Sequence, residues 1–433
     1  MLFGQRVIGY YPQWVQGTLP ISNIDFSVVT HVNHAFAWPD ENANIQSYSN
    51  MFNVLNAQTI HNQGAKFLLS LGGWGNNVGF ESVASSPSLR TTFINNLIDI
   101  CDNYGYDGVD LDWEHPNSSQ NRQYLNLLVA EMDSMFNDYD SELLITMAVP
   151  ISNWSGQWYD FTFLKSHIDF FNAMTYDIHG GWSSHAGHNS PLFQSPPGDP
   201  DGSCSTGILY LATTRGIPRE QINLGLPFWG KKYPTNDINQ SFSGEVEDMW
   251  YYEIPPLIGN GWTREWDDNA FCPYLINDNQ TQIISYDDSE SIMYKCEYAK
   301  VQNLGGVMIW ALGYDVTING QELIESIGEN YLDIPLNNTI QIPNQLSIKS
   351  FPNPFNSTCI IEFDLIKNQY LNIDIYSIRG QFMDRLYSGL RQKGMNRYTF
   401  DINKMSGKIS SGIFFISVNG KGINNFKKII YLK

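Results

Sequence analysis

Over its first 330 or so residues the chain alternates short apolar runs with longer stretches of mixed character. The runs are Val7–Tyr11, Val28–Phe36, Phe67–Leu71, Gly108–Trp113, Leu143–Val149, Phe170–Met174, Ile222–Leu226 and Gly306–Trp310. Each has the length of a buried strand, and stretches between them such as Leu89–Cys101 and Asn121–Phe136 place apolar residues at helical spacing. Eight strands alternating with helices predict an α/β fold, a (β/α)8 TIM barrel. The interval from about 231 to 290 is too long for a plain loop and is rich in Trp and Tyr (Trp250, Tyr251, Tyr252, Trp262, Trp266, Tyr274), which predicts an inserted subdomain.

The rhythm changes after residue 333. Pro335, Pro343 and the polar residues around them predict a linker over 334–347. Beyond it, Cys359–Leu365, Leu371–Ser377, Arg397–Ile402, Ile413–Val418 and Lys428–Leu432 alternate apolar and polar positions between Gly, Asn and Ser turns. That predicts a small β-sandwich over 348–433. Charge divides at the same place. Residues 348–433 carry 13 Lys+Arg against 5 Asp+Glu, whereas the part before carries 12 against 39.

An apolar content of 42% and an aromatic content of 14% suit a folded protein with a large core. The net charge of −19 argues against nucleic acid or an anionic membrane as partner. No run approaches the roughly 18 apolar residues of a membrane helix. Met1–Arg6 leads straight into the first strand and does not read as a signal peptide, so export calls for a leader outside this stretch. Five scattered cysteines (Cys101, Cys204, Cys272, Cys296, Cys359) form neither a disulfide framework nor a metal motif, though one or two bridges stay open. The eight histidines show no metal-ligand spacing; His179, His185 and His188 follow the sixth strand and are expected to orient its loop. No metal and no cofactor is expected.

Candidate chemistry concentrates in the fourth run, Asp107-Gly-Val-Asp110-Leu-Asp112-Trp-Glu114. Side chains alternate faces along a strand at about 3.3 Å per residue, so Asp110, Asp112 and Glu114 fall on one face, about 6.6 Å apart. Val109, Leu111 and Trp113 take the other. Three neighbouring carboxylates on a mostly buried strand are costly, and the usual relief is that some keep a proton. A carboxylic acid protonated near neutral pH is what a general acid requires. A solvated edge strand or a divalent-metal site are the competing readings, but the flanking apolar residues oppose the first. The second lacks the Gly and terminal Glu of a calcium loop.

The Asp-Gly-x-Asp-x-Asp-x-Glu at 107–114 resembles the signature of glycoside hydrolase family 18 chitinases, and six further pieces follow in register. They are Gly9-Tyr10-Tyr11, His34-Ala-Phe-Ala37, Ser70-Leu-Gly-Gly-Trp74, Met174-Thr-Tyr-Asp177, Gly225-Leu-Pro-Phe228 and Gly305-Gly-Val-Met-Ile-Trp310. Gly187–Leu192 is similar to the family's loop after the sixth strand. The insertion, returning through Ser285–Asp288, is similar to the family's α+β subdomain. The resemblance implies a secreted hydrolase of β-1,4-linked N-acetylglucosamine polymers, acting as a monomer on chitin or chito-oligosaccharides. Retaining catalysis in this family uses the substrate's own acetamido group as nucleophile.

By the same resemblance Glu114 is the acid and base, Asp112 bonds the acetamido N–H, and Asp110 shares a proton behind it. Tyr176 and Asp177 hold the acetamido group for attack, and Trp310 forms the floor under the reacting sugar. Tyr10, Phe36 and Met174 are further substrate-side candidates, and Trp74, Trp113, Trp182, Trp229 and Trp266 are candidate platforms for stacking sugars, since aromatic faces suit pyranose C–H surfaces, although Trp also fills cores. Tyr10 and Ser70 are expected to support Asp110. A chitin-binding lectin on the same barrel usually loses the terminal acid, which is present here. An endo-β-N-acetylglucosaminidase or peptidoglycan hydrolase shares the acidic strand and stays open.

The tail offers Tyr and Phe but no Trp. Phe351-Pro-Asn-Pro-Phe-Asn356, Ile375-Tyr-Ser-Ile-Arg-Gly380, Ser411-Gly-Ile-Phe-Phe415 and Lys427-Lys428 resemble the sorting domain of the type IX secretion system. This implies an address read by export machinery, and a protein released or held at the cell surface.

Overall fold

The computed structural model describes residues 5–318, 320–332, 348–365, 368–377, 382–405, 411–420 and 423–433, which form two compact units, Met1–Leu336 and Asn337–Lys433. The expected linker at 334–347 lies outside the described residues.

In the first unit the strands in chain order are β1 (Arg6–Pro12), β2 (His31–Pro39), a short β3 (Ile45–Ser47), β4 (Lys66–Gly72), β5 (Gly108–Asp112), β6 (Leu144–Val149), β7 (Phe170–Ala173) and β8 (Ile222–Pro227). Five insertion strands follow, β9 (Trp229–Tyr233), β10 (Glu247–Trp250), β11 (Trp262–Asp267), β12 (Cys272–Asn277) and β13 (Ile283–Ser285), before β14 (Gly306–Trp310). Parallel pairing runs β1-β14-β8-β7-β6-β5-β4-β2 and closes through β1 on β2, so eight strands form a barrel. β3 hangs antiparallel on β2. Strand β2 starts at His31, three residues later than its apolar run. The Thr30 hydroxyl, bonded to the Val7 backbone, forms the turn instead.

The outer helices begin and end where local chemistry dictates. Helix Pro87–Tyr104 has Ser86 capping the Leu89 amide, Pro at its first turn, and Gly105 at φ +74° as its left-handed stop. Helix Ser119–Tyr139 is capped by Ser118 on Asn121. Between β8 and β14 the expected subdomain is an antiparallel sheet ordered β10-β9-β13-β12-β11.

The second unit packs β17 (Lys349–Phe351), β18 (Thr358–Leu365) and β21 (Gly394–Asp401) as one sheet; a second is ordered β20 (Phe382–Arg391), β19 (Gln369–Ser377), β22 (Gly412–Gly420) and β23 (Ile423–Tyr431). The hairpin β15 (Val316–Thr317) and β16 (Gly320–Gln321) belongs to the first unit. Strands β17 and β20 had no counterpart among the expected segments. In β20 the exposed and half-buried residues leave no clean alternation. Isoleucine, valine and phenylalanine from both sheets, among them Ile361, Phe363, Ile373, Ile375, Phe400, Ile416 and Val418, fill the space between. All five cysteines are buried and free, so the bridges left open by the sequence are not formed.

Gly72 ends β4 against the acidic strand, at φ +113°, and a Cβ there would lie 2.2 Å from the Asp112 carbonyl oxygen. Gly75, at φ +90°, has open space around it. Gly75→Ala is expected to cost about 1–2 kcal/mol of backbone strain. Gly72→Ala adds a clash with backbone that cannot move aside, and should lose at least about 3 kcal/mol. Urea unfolding of the two variants checks the order.

Candidate active site

Strand register explains how the acidic strand is built in. Across β4–β5–β6, Ser70 lies beside Asp110 and Asp110 beside Thr146. In neighbouring parallel strands such partners point the same way, here into the barrel. The Asp110 carboxylate accepts from Tyr10 (2.8 Å) and Ser70 (2.8 Å) at one oxygen, and from Thr146 (2.6 Å) and Asn172 (3.1 Å) at the other. Four donors from four strands fill its acceptor sites. Burial raises the Asp110 pKa, and these bonds oppose the rise.

Asp112, one turn of the pleat further on, has no such cradle. Its Oδ1 is buried without a hydrogen-bond partner. Burial first, then the charges of Glu114 and Asp110, drive its pKa well above the usual carboxylate range. Of the pair, Asp112 is the one whose charged form is the more disfavoured, because donors hold Asp110.

Strand β5 ends at Asp112, so the alternation does not carry through to Glu114. Asn77 replaces the ladder there: its side chain accepts from the Glu114 amide (3.1 Å) and donates to the Glu114 carbonyl. Glu114 is pushed up to about 7 by burial and by the charge of Asp177. His115 points Nε2 at the Glu114 carboxyl, 3.6 Å away. Tyr159 donates its hydroxyl proton to the Trp113 carbonyl (2.9 Å) and lies 3.2 Å from His115 Nδ1, so it accepts from that nitrogen. Burial lowers His115 to about 4. A neutral ring protonated at Nδ1 leaves Nε2 as an acceptor facing a protonated glutamic acid.

Tyr176 follows β7, its hydroxyl 3.8 Å from the Met308 sulfur and its ring edge-on to Trp229 at 4.9 Å. Burial and the negative charges of Asp112, Glu114, Asp177 and Asp110 all raise its pKa, which places the four acids and this phenol in one field. Asp177 adopts φ +54° and donates its amide N–H to the Asn189 side-chain oxygen (3.1 Å). Its carboxylate is gripped by Lys231 of β9 at 2.7 Å, which also pairs with Asp248 at 2.8 Å. Lys231, Thr146, Asn172, Asn77 and His115 were not among the residues read from the sequence.

The aromatic candidates sort into two groups. Trp310, at the end of β14, stacks on Phe36 (5.5 Å, 24°) and meets Tyr10 edge-on (5.5 Å, 61°), with Met308 in the same cluster. Met174 is half-buried, held by its amide on the Val149 carbonyl. Trp74 is 78% exposed and Trp182 67% exposed, the latter beneath the Lys231 ammonium. Trp113 and Trp229 are 6% and 5% exposed. The first stacks flat on Phe80 and the second meets Tyr176 edge-on. Trp266 is half-buried under Arg264. Trp14 and Trp154, exposed as well, were not singled out.

A closed parallel barrel with neighbouring buried acids at the C-terminal end of a strand, the last of them pushed up to about 7, is the architecture of a barrel glycosidase. The chain belongs to the glycosyl hydrolases family 18, whose model matches residues 6–315, and residues 349–432 match the secretion system C-terminal sorting domain. It is 26% identical to "Chitinase A1" of Niallia circulans, over 82% of this chain and 62% of that protein. It is 30% identical to a "Probable endochitinase" of Caenorhabditis elegans, over 71% of this chain and 55% of that protein. The chain thus spans less than two thirds of either relative. Among solved structures, the immunomodulatory active chitinase from Trichuris suis is 28% identical, with a TM-score of 0.68, over 76% of this chain and all of that one.

The Glu114 carboxyl is expected to lose its proton across pH about 7. Removing the neighbouring negative charge in Asp177→Asn leaves Lys231 paired with Asp248 alone and should move that step to lower pH. Infrared difference spectra of the protonated carbonyl band, taken against Glu114→Gln, measure both.

Proposed function

We propose that the chain hydrolyses β-1,4-linked N-acetylglucosamine polymers, chitin and its oligosaccharides, with retention at the anomeric carbon. It acts as a monomer. What supports this reading is the setting of Asp112: a buried carboxyl beside two other acids, its Oδ1 without a partner, is a poor nucleophile and a ready acceptor, which favours attack by the substrate's own acetamido group. The acetamido oxygen of the bound sugar forms the new bond to the anomeric carbon. Glu114 delivers its proton to the departing glycosidic oxygen as that bond breaks. The unpaired Oδ1 of Asp112 is an open acceptor for the acetamido N–H. Tyr176 holds the acetamido oxygen in line, Asp177 fixes the wall beside it through Lys231, and orientation of this kind supplies several kcal/mol of the barrier. Glu114, now a carboxylate, takes a proton from the water that opens the cyclic intermediate.

Trp310 makes the floor of the reacting subsite, over Phe36 and Tyr10, with Met174 at its side, while Trp74, Trp182 and Trp266 extend contact along a longer chain. Residues 1–333 are the catalytic unit. The basic segment 348–433 addresses the protein to a type IX export machinery, for release or display at the cell surface. Similarity to the sorting-domain model over 349–432 supports that assignment.

Three measurements test the reading. Glu114→Gln should lower chito-oligosaccharide cleavage by at least about 10³-fold and keep sugar binding; a wild type that binds and does not cleave indicates a lectin instead. Oligosaccharides with free amines in place of N-acetyl groups should not be cleaved, and equal turnover of the two defeats the substrate-assisted route. Trp74→Ala should raise KM on long oligosaccharides with little change in stability, whereas Trp113→Ala should cost about 3–5 kcal/mol in urea unfolding.

A further inference from the structure

A second cluster lies in the loop between β7 and the helix Cys204–Leu209. His179 and His185 meet Asp199 and Asp201 there, and one ligand atom from each lies within 4.8 Å of all the others. The contacts are His179 Nε2 to Asp199 Oδ2 at 3.0 Å and to Asp201 Oδ2 at 3.7 Å, and His185 Nε2 to Asp199 Oδ2 at 3.1 Å. His179 and Asp199 have fully buried side chains, and Asp201 opens to solvent.

The proton inventory of His179 makes this more than a pair of salt bridges. Its Nδ1 lies 2.8 Å from the His188 backbone carbonyl. A carbonyl only accepts, so Nδ1 carries the proton. In a neutral ring Nε2 is then a bare lone pair, and it is aimed at a carboxylate oxygen, which also has only lone pairs to offer. Such an array is repulsive as it stands. A cation relieves it at once. A histidine that gives its second N–H to a backbone carbonyl while its other nitrogen faces carboxylates is the arrangement that orients metal-bound imidazoles.

We infer that His179, His185, Asp199 and Asp201 form a binding site for one divalent transition-metal ion, zinc being the best match to two imidazoles and two carboxylates. Tetrahedral zinc with bonds of about 2.0–2.1 Å sets its ligands about 3.3 Å apart. The 3.0, 3.1 and 3.7 Å separations lie around that value. All four residues belong to one loop spanning 179–201, so the ion would tie together a segment that starts two residues after Asp177 and includes Asn189, the partner of the Asp177 amide. The proton chemistry proposed above does not pass through it. Linear spacing hid the site, because five residues separate the two histidines and thirteen more precede the first aspartate.

The test uses the full untagged chain, stripped with chelator and titrated with zinc chloride by calorimetry. The wild type should bind a single saturating equivalent, and its Tm should rise by several degrees. Cobalt(II) in the same site should show the intense visible bands of tetrahedral coordination. Asp201→Asn, at a solvent-facing position, should fold as the wild type does and bind zinc at least about 10-fold more weakly. His185→Ala should lose both the binding step and the Tm gain. Absence of a stoichiometric step in the wild type, or equal uptake by both variants, overturns the assignment.

Discussion

One buried carboxylate organises the catalytic end of this barrel. Asp110 has surrendered all contact with water, and the cost is met by hydroxyl and amide donors from β1, β4, β6 and β7. Because these donors leave Asp110 nothing further to accept, the next carboxyl along the strand cannot lean on it for a hydrogen bond. Asp112 is left with burial and two negative neighbours, which disfavour its charged form. Glu114 is pushed up by burial and by Asp177 beside it. The acids therefore differ in how strongly each is held in its charged form because their donors differ, though their side chains are nearly alike.

Much of the fold could be read from the chain. Eight apolar runs became eight barrel strands, the aromatic interval became an antiparallel sheet, and five alternating segments of the tail became strands of a sandwich. These features are local: a buried strand needs only consecutive apolar residues. The acidic strand was legible for the same reason. What stayed hidden depends on partners far apart in sequence. Thr146 and Asn172 are ordinary polar residues until register sets them against Asp110, 36 and 62 positions away. Lys231 lies in the insertion, 54 positions from the Asp177 carboxylate that it grips. Trp113 and Trp74 carry identical side chains, and only the neighbours, Phe80 in one case and solvent in the other, separate a buried ring from an exposed one.

The two units carry opposite charge, an acidic barrel and a basic sandwich. The sandwich owes its cohesion to a continuous aliphatic and aromatic interior, and its cysteine is reduced and inaccessible. Neither unit relies on a disulfide, so a reducing environment costs this protein nothing in cross-links.

The salt link between Lys231 and Asp177 has an evolutionary corollary. The lysine belongs to the inserted sheet and the aspartate to the barrel rim, so an ammonium from the insertion reaches into the reaction centre. Anyone transplanting a longer or shorter insertion from a homologue, to lengthen or open the groove, would have to carry that lysine across in register. A graft lacking it would leave the aspartate facing the catalytic acid with its charge unshared.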